Sequence, residues 1–203
     1  MPNETLTARR RTNPFTTRHT RPGRLPPLDE SGRPRDLGAV LAAVRRSPAT
    51  AIVGPHGTGK STLLAAVHAE LEAAGQAADL RQLRRRRDGL ALLATVLLTR
   101  QGQALCVDGW ERLGAIGAAT VRLAAGIRGC QLVVTSHHPT GMPTIVRTAG
   151  TLPLLAAIVA RLPDHDGLIT GSDLAESFAR HGGNLRDSLG DLYDRFELRV
   201  RRS

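Results

Sequence analysis

Gly54, Pro55, His56, Gly57, Thr58, Gly59, Lys60 and Ser61 spell GPHGTGKS, a run whose glycine spacing and terminal lysine–hydroxyl pair suit the holding of phosphate. The glycines let the backbone curl so that successive N–H groups point into one hollow. Lys60 brings a compact ammonium to that hollow, and Ser61, followed by Thr62, offers a hydroxyl to Mg2+. Lys60 is the sole lysine among 28 basic residues; every other one is arginine. A planar guanidinium fits a narrow ring of amides badly, which explains why a chain so biased towards arginine keeps lysine here. The expected ligand is a nucleoside triphosphate.

Such a loop works only between a strand and a helix. Ala49 to Val53 reads as a short buried strand, and Lys60 to Ala74 as an amphipathic helix stopped by Gly75. A second acidic element follows in QALCVD, an apolar run ending at Asp108. A carboxylate at that strand end would emerge beside the glycine loop and hold Mg2+ through its water shell. An ordinary Asp-Gly turn is the alternative. Glu111, three residues on, suits a carboxylate that polarises the attacking water; it equally suits the first-turn acid of the next helix. The strand Gln131 to Ser136 ends in hydroxyls, and Ser136 is expected to sense the γ-phosphate, with His137 a weaker candidate. Trp110 reads as packing.

Other segments serve these residues. Met1 to about Asp36, rich in Pro, Arg, Thr and Gly, reads as a basic extended arm. Residues 37–150 alternate helices and strands, with further strands expected at Ala78 to Leu83 and Thr144 to Thr148, which implies a parallel sheet covered on both faces. Residues 151–203 hold no convincing strand and read as a small helical lid. Its helices are Leu154 to Leu162, then Ser172 to Arg180 capped by Ser172 or Asp173, then one capped by Asn184. The formal charge of +10 admits nucleic acid as a partner of the arginine-rich arm. Aromatic residues make up only 2%, too few for a base-stacking platform. No run suits a membrane span or a signal peptide, and Cys106 and Cys130 fit buried thiols in a reducing cytoplasm.

GPHGTGKST, LCVDGWE, LVVTS and GGNLRD together resemble P-loop ATPases with an additional catalytic acid, nearest the AAA+ and STAND classes. The resemblance implies an α/β, three-layer P-loop NTPase fold, with a mostly parallel sheet and a small C-terminal helical lid. VDGWERL is similar to the Walker B strand of STAND ATPases, with Glu111 in the second acidic slot. GGNLRDSL resembles the sensor-2 segment of AAA+ lids, which makes Arg186 the residue that reaches over the γ-phosphate; a plain helix-surface arginine is the alternative. The whole chain is also similar to small bacterial ATP-binding proteins. No arginine-finger segment stands out, Arg147 and Arg128 being the candidates across a subunit contact. An LSGGQ-type signature and a guanine-recognition N-K-x-D are both absent, so adenine is the expected base.

The leading expectation is a Mg2+-dependent ATPase that turns ATP binding and hydrolysis into a conformational signal for a protein partner. Lys60, Glu111 and Arg186 would be catalytic, and Ser61 and Asp108 would hold the metal. A small-molecule kinase on the same core, and a non-hydrolysing adaptor for nucleic acid or protein, are the alternatives.

Overall fold

The computed structural model describes residues 12–85, 87–165 and 167–202. Arg9, Arg10, Arg11 and Arg86, all members of the sequence's basic runs, lie outside them. A short helix α1 (Thr17–Thr20) and helix α2 (Leu37–Arg45) precede the first strand, β1 (Ala49–Val53). Then follow α3 (Lys60–Ala73), β2 (Ala78–Gln82), α4 (Asp88–Leu98) and β3 (Ala104–Asp108). A 3₁₀ turn (Trp110–Leu113), α5 (Gly114–Arg128), β4 (Gln131–Ser136) and β5 (Thr144–Arg147) complete the sheet region. Helices α6 (Leu152–Val159), α7 (Gly171–Arg180) and α8 (Leu185–Val200) come last.

The five strands form one parallel sheet in the order β2-β3-β4-β1-β5. Side chains alternate across a strand, so each strand feeds two cores. Val53, Leu105, Val107, Leu132 and Val134 meet α4, α5 and the buried Trp110 on one face. Ile52, Cys106, Val133 and Val146 meet α2 and α3 on the other. These near-continuous aliphatic strands are what a sheet covered on both sides requires. Both cysteines are buried and free, and burial pushes the Cys106 thiol up to about 12.

The three C-terminal helices build a separate core from Leu154, Leu155, Leu174, Leu185, Leu192 and Phe196. Helix α7 starts at Gly171, one residue earlier than the sequence suggested, and its cap lies earlier still. Thr170 is its cap, accepting from the Asp173 N–H while the Asp173 carboxylate accepts from the Thr170 N–H. Asp173 therefore sits at the third helical position, and not at the cap. It also receives Arg195 and Arg199, whose guanidiniums hold its carboxyl below the ordinary carboxylate range, Arg199 foremost.

The extended arm expected over Met1 to Asp36 is not what residues 12–36 form. Phe15 is only 4% exposed and joins the core of α6, α7 and α8. Asn13 donates through Nδ2 to the Tyr193 carbonyl at 3.0 Å and to Glu197 Oε1 at 2.9 Å. A buried phenyl ring and a buried, fully bonded amide hold this stretch where its proline and arginine content suggested solvent.

Candidate functional site

Residues 54–59 turn the C-terminal end of β1 into the N-terminal end of α3. Gly57 and Gly59 take φ of 70° and 91°, which side chains rarely adopt. Gly54 lies against Thr148, so closely that a Cβ would come 2.2 Å from its hydroxyl oxygen. Thr58 and Thr148 share a hydroxyl–hydroxyl bond of 2.7 Å, which ties the loop to the end of β5. The first turn of α3 thus presents its free N–H groups, with the positive dipole end, to one hollow.

Lys60 is buried at the base of that hollow. Its ammonium donates to the carbonyls of Gly54 and Pro55 and faces His137 Nδ1 at 3.2 Å. Burial lowers its pKa, Glu111 and Asp108 pull it back up, and Arg186 pushes it down. Three backbone and side-chain acceptors therefore hold a charge that is costly to bury.

Asp108 closes β3 beside this loop. Ser61 Oγ donates to both of its carboxylate oxygens, at 3.0 and 2.9 Å, and Thr135 Oγ1 donates to Oδ1 at 2.6 Å. Thr135 in turn accepts the Gly109 N–H at 3.0 Å, fixing the turn that leads to Glu111. Two hydroxyls converging on one carboxylate form an all-oxygen set of the kind a hard cation prefers. Glu111 Oε2 is buried and takes no hydrogen bond among the described residues. These observations fit Mg2+ held by Ser61 and Asp108, with Glu111 beyond it.

Glu111 falls in the 3₁₀ turn, not in the first turn of a long helix. Its Oε1 lies 3.2 Å from His137 Nε2. A proton on Nε2 lets the ring donate to Glu111 and accept from Lys60, whereas a proton on Nδ1 would be directed to the Gly54 carbonyl, 3.3 Å away. Burial, and then the Lys60 charge, hold the His137 pKa below its ordinary value. The His56 ring lies on that of His137, with centroids 3.5 Å apart.

Ser136 is placed elsewhere. Its hydroxyl accepts the His138 N–H at 3.2 Å and faces a smaller cavity lined by Trp110 and Met142. Neighbouring strand residues point to opposite sides, so Thr135 and His137 take the side of the glycine loop. Only the backbone carbonyl of Ser136 touches the loop, accepting from Gly54 N at 3.1 Å. Strict alternation along QLVVTS, with Val133 assigned to the face of α3, would have selected Thr135.

Arg186 opens α8. Asn184 caps that helix, accepting the N–H groups of Arg186 and Asp187 at 3.1 and 3.3 Å. The same cap presses on Gly57, where a Cβ would lie 1.8 Å from Asn184 Oδ1. Helix α8 therefore stands directly over the glycine loop, and the exposed Arg186 side chain lines the cavity between them. Arg128 is engaged elsewhere, donating to the Thr99 carbonyl at 3.0 Å, while Arg147 is exposed at the end of β5.

The cavity has a volume of about 960 Å3 and reaches from Lys60, Ser61 and Asp108 to Thr17, Arg21 and Leu25 of the N-terminal stretch. Its far wall is Ile158, Leu189 and Tyr193. One end is charged and lined with hydroxyls, and the other is largely apolar.

Among solved structures, a lysine-to-arginine variant of RuvB from Thermotoga maritima matches with a TM-score of 0.55 at 19% identity, over 81% of this chain and 61% of that one. The fold is that of a P-loop NTPase. This chain spans less than two thirds of that RuvB chain, and at such identity the likeness is one of fold. PCH-2 from C. elegans also matches, with a TM-score of 0.42 at 10% identity over 81% of this chain and 68% of that one. No protein-family model and no curated protein matches the sequence.

Proposed function

We infer that this chain binds ATP with Mg2+ and hydrolyses it, passing the state of the nucleotide through the α8 cap to a protein partner. One observation carries the reading: Lys60, the Ser61–Asp108 pair, Glu111 and Arg186 all line a single cavity beneath α8. In-line phosphoryl transfer to water asks mainly for positioning and charge stabilisation. The loop amides and Lys60 would neutralise the phosphates. Mg2+, held by Ser61 and Asp108, would draw charge from the phosphate oxygens.

Glu111 stands next to that position with a free, buried carboxylate oxygen, suited to orient a water and accept its proton. His137 spans Glu111 and Lys60, so a phosphate that engages Lys60 also disturbs the hold on Glu111. Arg186 would stabilise the γ-phosphate from above. The apolar end of the cavity between the N-terminal stretch and α8 offers a place for the base.

The test is phosphate release from Mg·ATP by the wild type and by Glu111→Gln, with ATP affinity measured for both. Hydrolysis by the wild type and binding without turnover by the variant is the expected result. Binding with no release by either protein would overturn the hydrolase reading; transfer to an added small-molecule acceptor would then identify a kinase.

A further inference from the structure

Helices α4 and α5 pack beside one another against the sheet, and each carries apolar residues on two sides. In α5 the inward stripe is Val121 and Ala125, with Ala118 half-buried. On its outer side Ile116, Leu123 and Ile127 are 85%, 67% and 76% exposed. Their spacing follows the turns of one helix face. Helix α4 adds Leu90, Leu97 and Leu98 at 77%, 54% and 83%. A surface helix ordinarily places polar side chains here, so the second stripe calls for a covering.

The face is chemically uniform. Its hydroxyls, Thr95 and Thr120, are spent on their own helices, donating to the carbonyls of Ala91 and Ile116 at 3.0 Å each. Helix α5 contains no acidic residue. The one acid of α4, Asp88, accepts the N–H groups of Arg84 and Arg85 at 2.7 and 2.8 Å. Around the aliphatic centre stand exposed arginines: Arg87 and Arg100, with Arg122 and Arg128, which also donate to the carbonyls of Gly141 and Thr99.

We propose that the α4–α5 face docks this protein on the surface of a bilayer rich in anionic lipid. The aliphatic side chains enter the boundary between headgroups and acyl chains, and the arginine rim meets the lipid phosphates. A protein partner would be recognised through aromatic anchors and directional hydrogen bonds, and this face has neither. A second copy would set one cationic rim against another in a chain of formal charge +10. A bilayer asks only for apolar area and a single sign of charge. The glycine loop and α3 pack on the opposite face of the sheet, so docking leaves the nucleotide cavity open. The proposal stands apart from the hydrolase reading.

Flotation of the full chain with vesicles tests it, using phosphatidylcholine alone and equal parts of phosphatidylcholine and phosphatidylglycerol. The protein is expected to float with the mixed vesicles and not with phosphatidylcholine, and to detach as salt is raised. Leu123→Glu with Ile127→Glu should weaken partitioning at least about tenfold. Arg87→Gln with Arg100→Gln should also weaken it, while both doubly substituted proteins keep the wild-type thermal transition. No flotation by the wild type overturns the proposal. So does flotation that the Glu pair leaves unchanged, and so does a wild-type dimer in light scattering that the Glu pair converts to monomer.

Discussion

At the scale of single residues, the geometry separates binding from the later step. Lys60→Ala removes the buried ammonium that the loop carbonyls and His137 hold, and should weaken ATP binding by roughly tenfold to a hundredfold, the worth of one charged hydrogen bond. Titration with a fluorescent ATP analogue would measure it. Asp108→Asn should leave metal-free binding nearly intact and abolish the gain that Mg2+ brings, seen by repeating that titration with and without the metal. The meeting of Lys60, Ser61 and Asp108 at one site was legible because each stands in a short contiguous run, the glycine loop for the first two and the strand QALCVD for the third. Thr135 was not. Its role comes from which face of β4 it occupies, and hydroxyls stand side by side at Thr135 and Ser136. His137, the weaker candidate of the sequence, is the one that reaches Glu111 and Lys60, because it lies on the same side of the strand end as Thr135.

At the scale of elements, the contact between α8 and the glycine loop carries the main prediction. Gly57→Ala forces a methyl into the Asn184 cap and a side chain into a left-handed backbone, at a cost of about 1–3 kcal/mol. Both the thermal transition and ATP affinity should fall, whereas Gly75→Ala, also left-handed but open to solvent, should lower stability alone. Loss of the cap in Asn184→Ala should cost about 1 kcal/mol in urea unfolding. The Asp173 cluster gives a dependence on pH. Its folded pKa is held below the usual value by Arg199 and Arg195, so an unfolded chain binds the proton more readily. Its contribution is therefore full above about pH 4 and is lost as pH falls through the lower folded value. Asp173→Asn should flatten that acid limb of stability. Strand and helix positions were readable from apolar periodicity to within a few residues, because the sheet is covered on both faces and its strands are almost wholly aliphatic. The start of α7 was misread because Thr170, Ser172 and Asp173 are all good capping residues, and only the reciprocal bond between Thr170 and Asp173 decides among them.

For the whole molecule, the unreadable part was the N-terminal stretch. Composition describes what a segment does alone, and Asn13 and Phe15 are ordered by residues about 180 positions away. Phe15→Ala should destabilise the C-terminal helices by about 3 kcal/mol, measured by urea unfolding, and should weaken ATP binding because the same stretch walls the cavity. That tether also sets a timetable. A ribosome adds roughly 5–20 residues each second, so Asn13 emerges roughly ten to forty seconds before Glu197, 184 positions later, exists to receive it. During that interval the sheet and its glycine loop can form, but the roof and one wall of the nucleotide cavity cannot. A nascent chain released before α8 is made would carry every residue of the glycine loop and still lack an enclosed cavity, so the proposed ATP site is complete only in chains whose synthesis has reached the last helix.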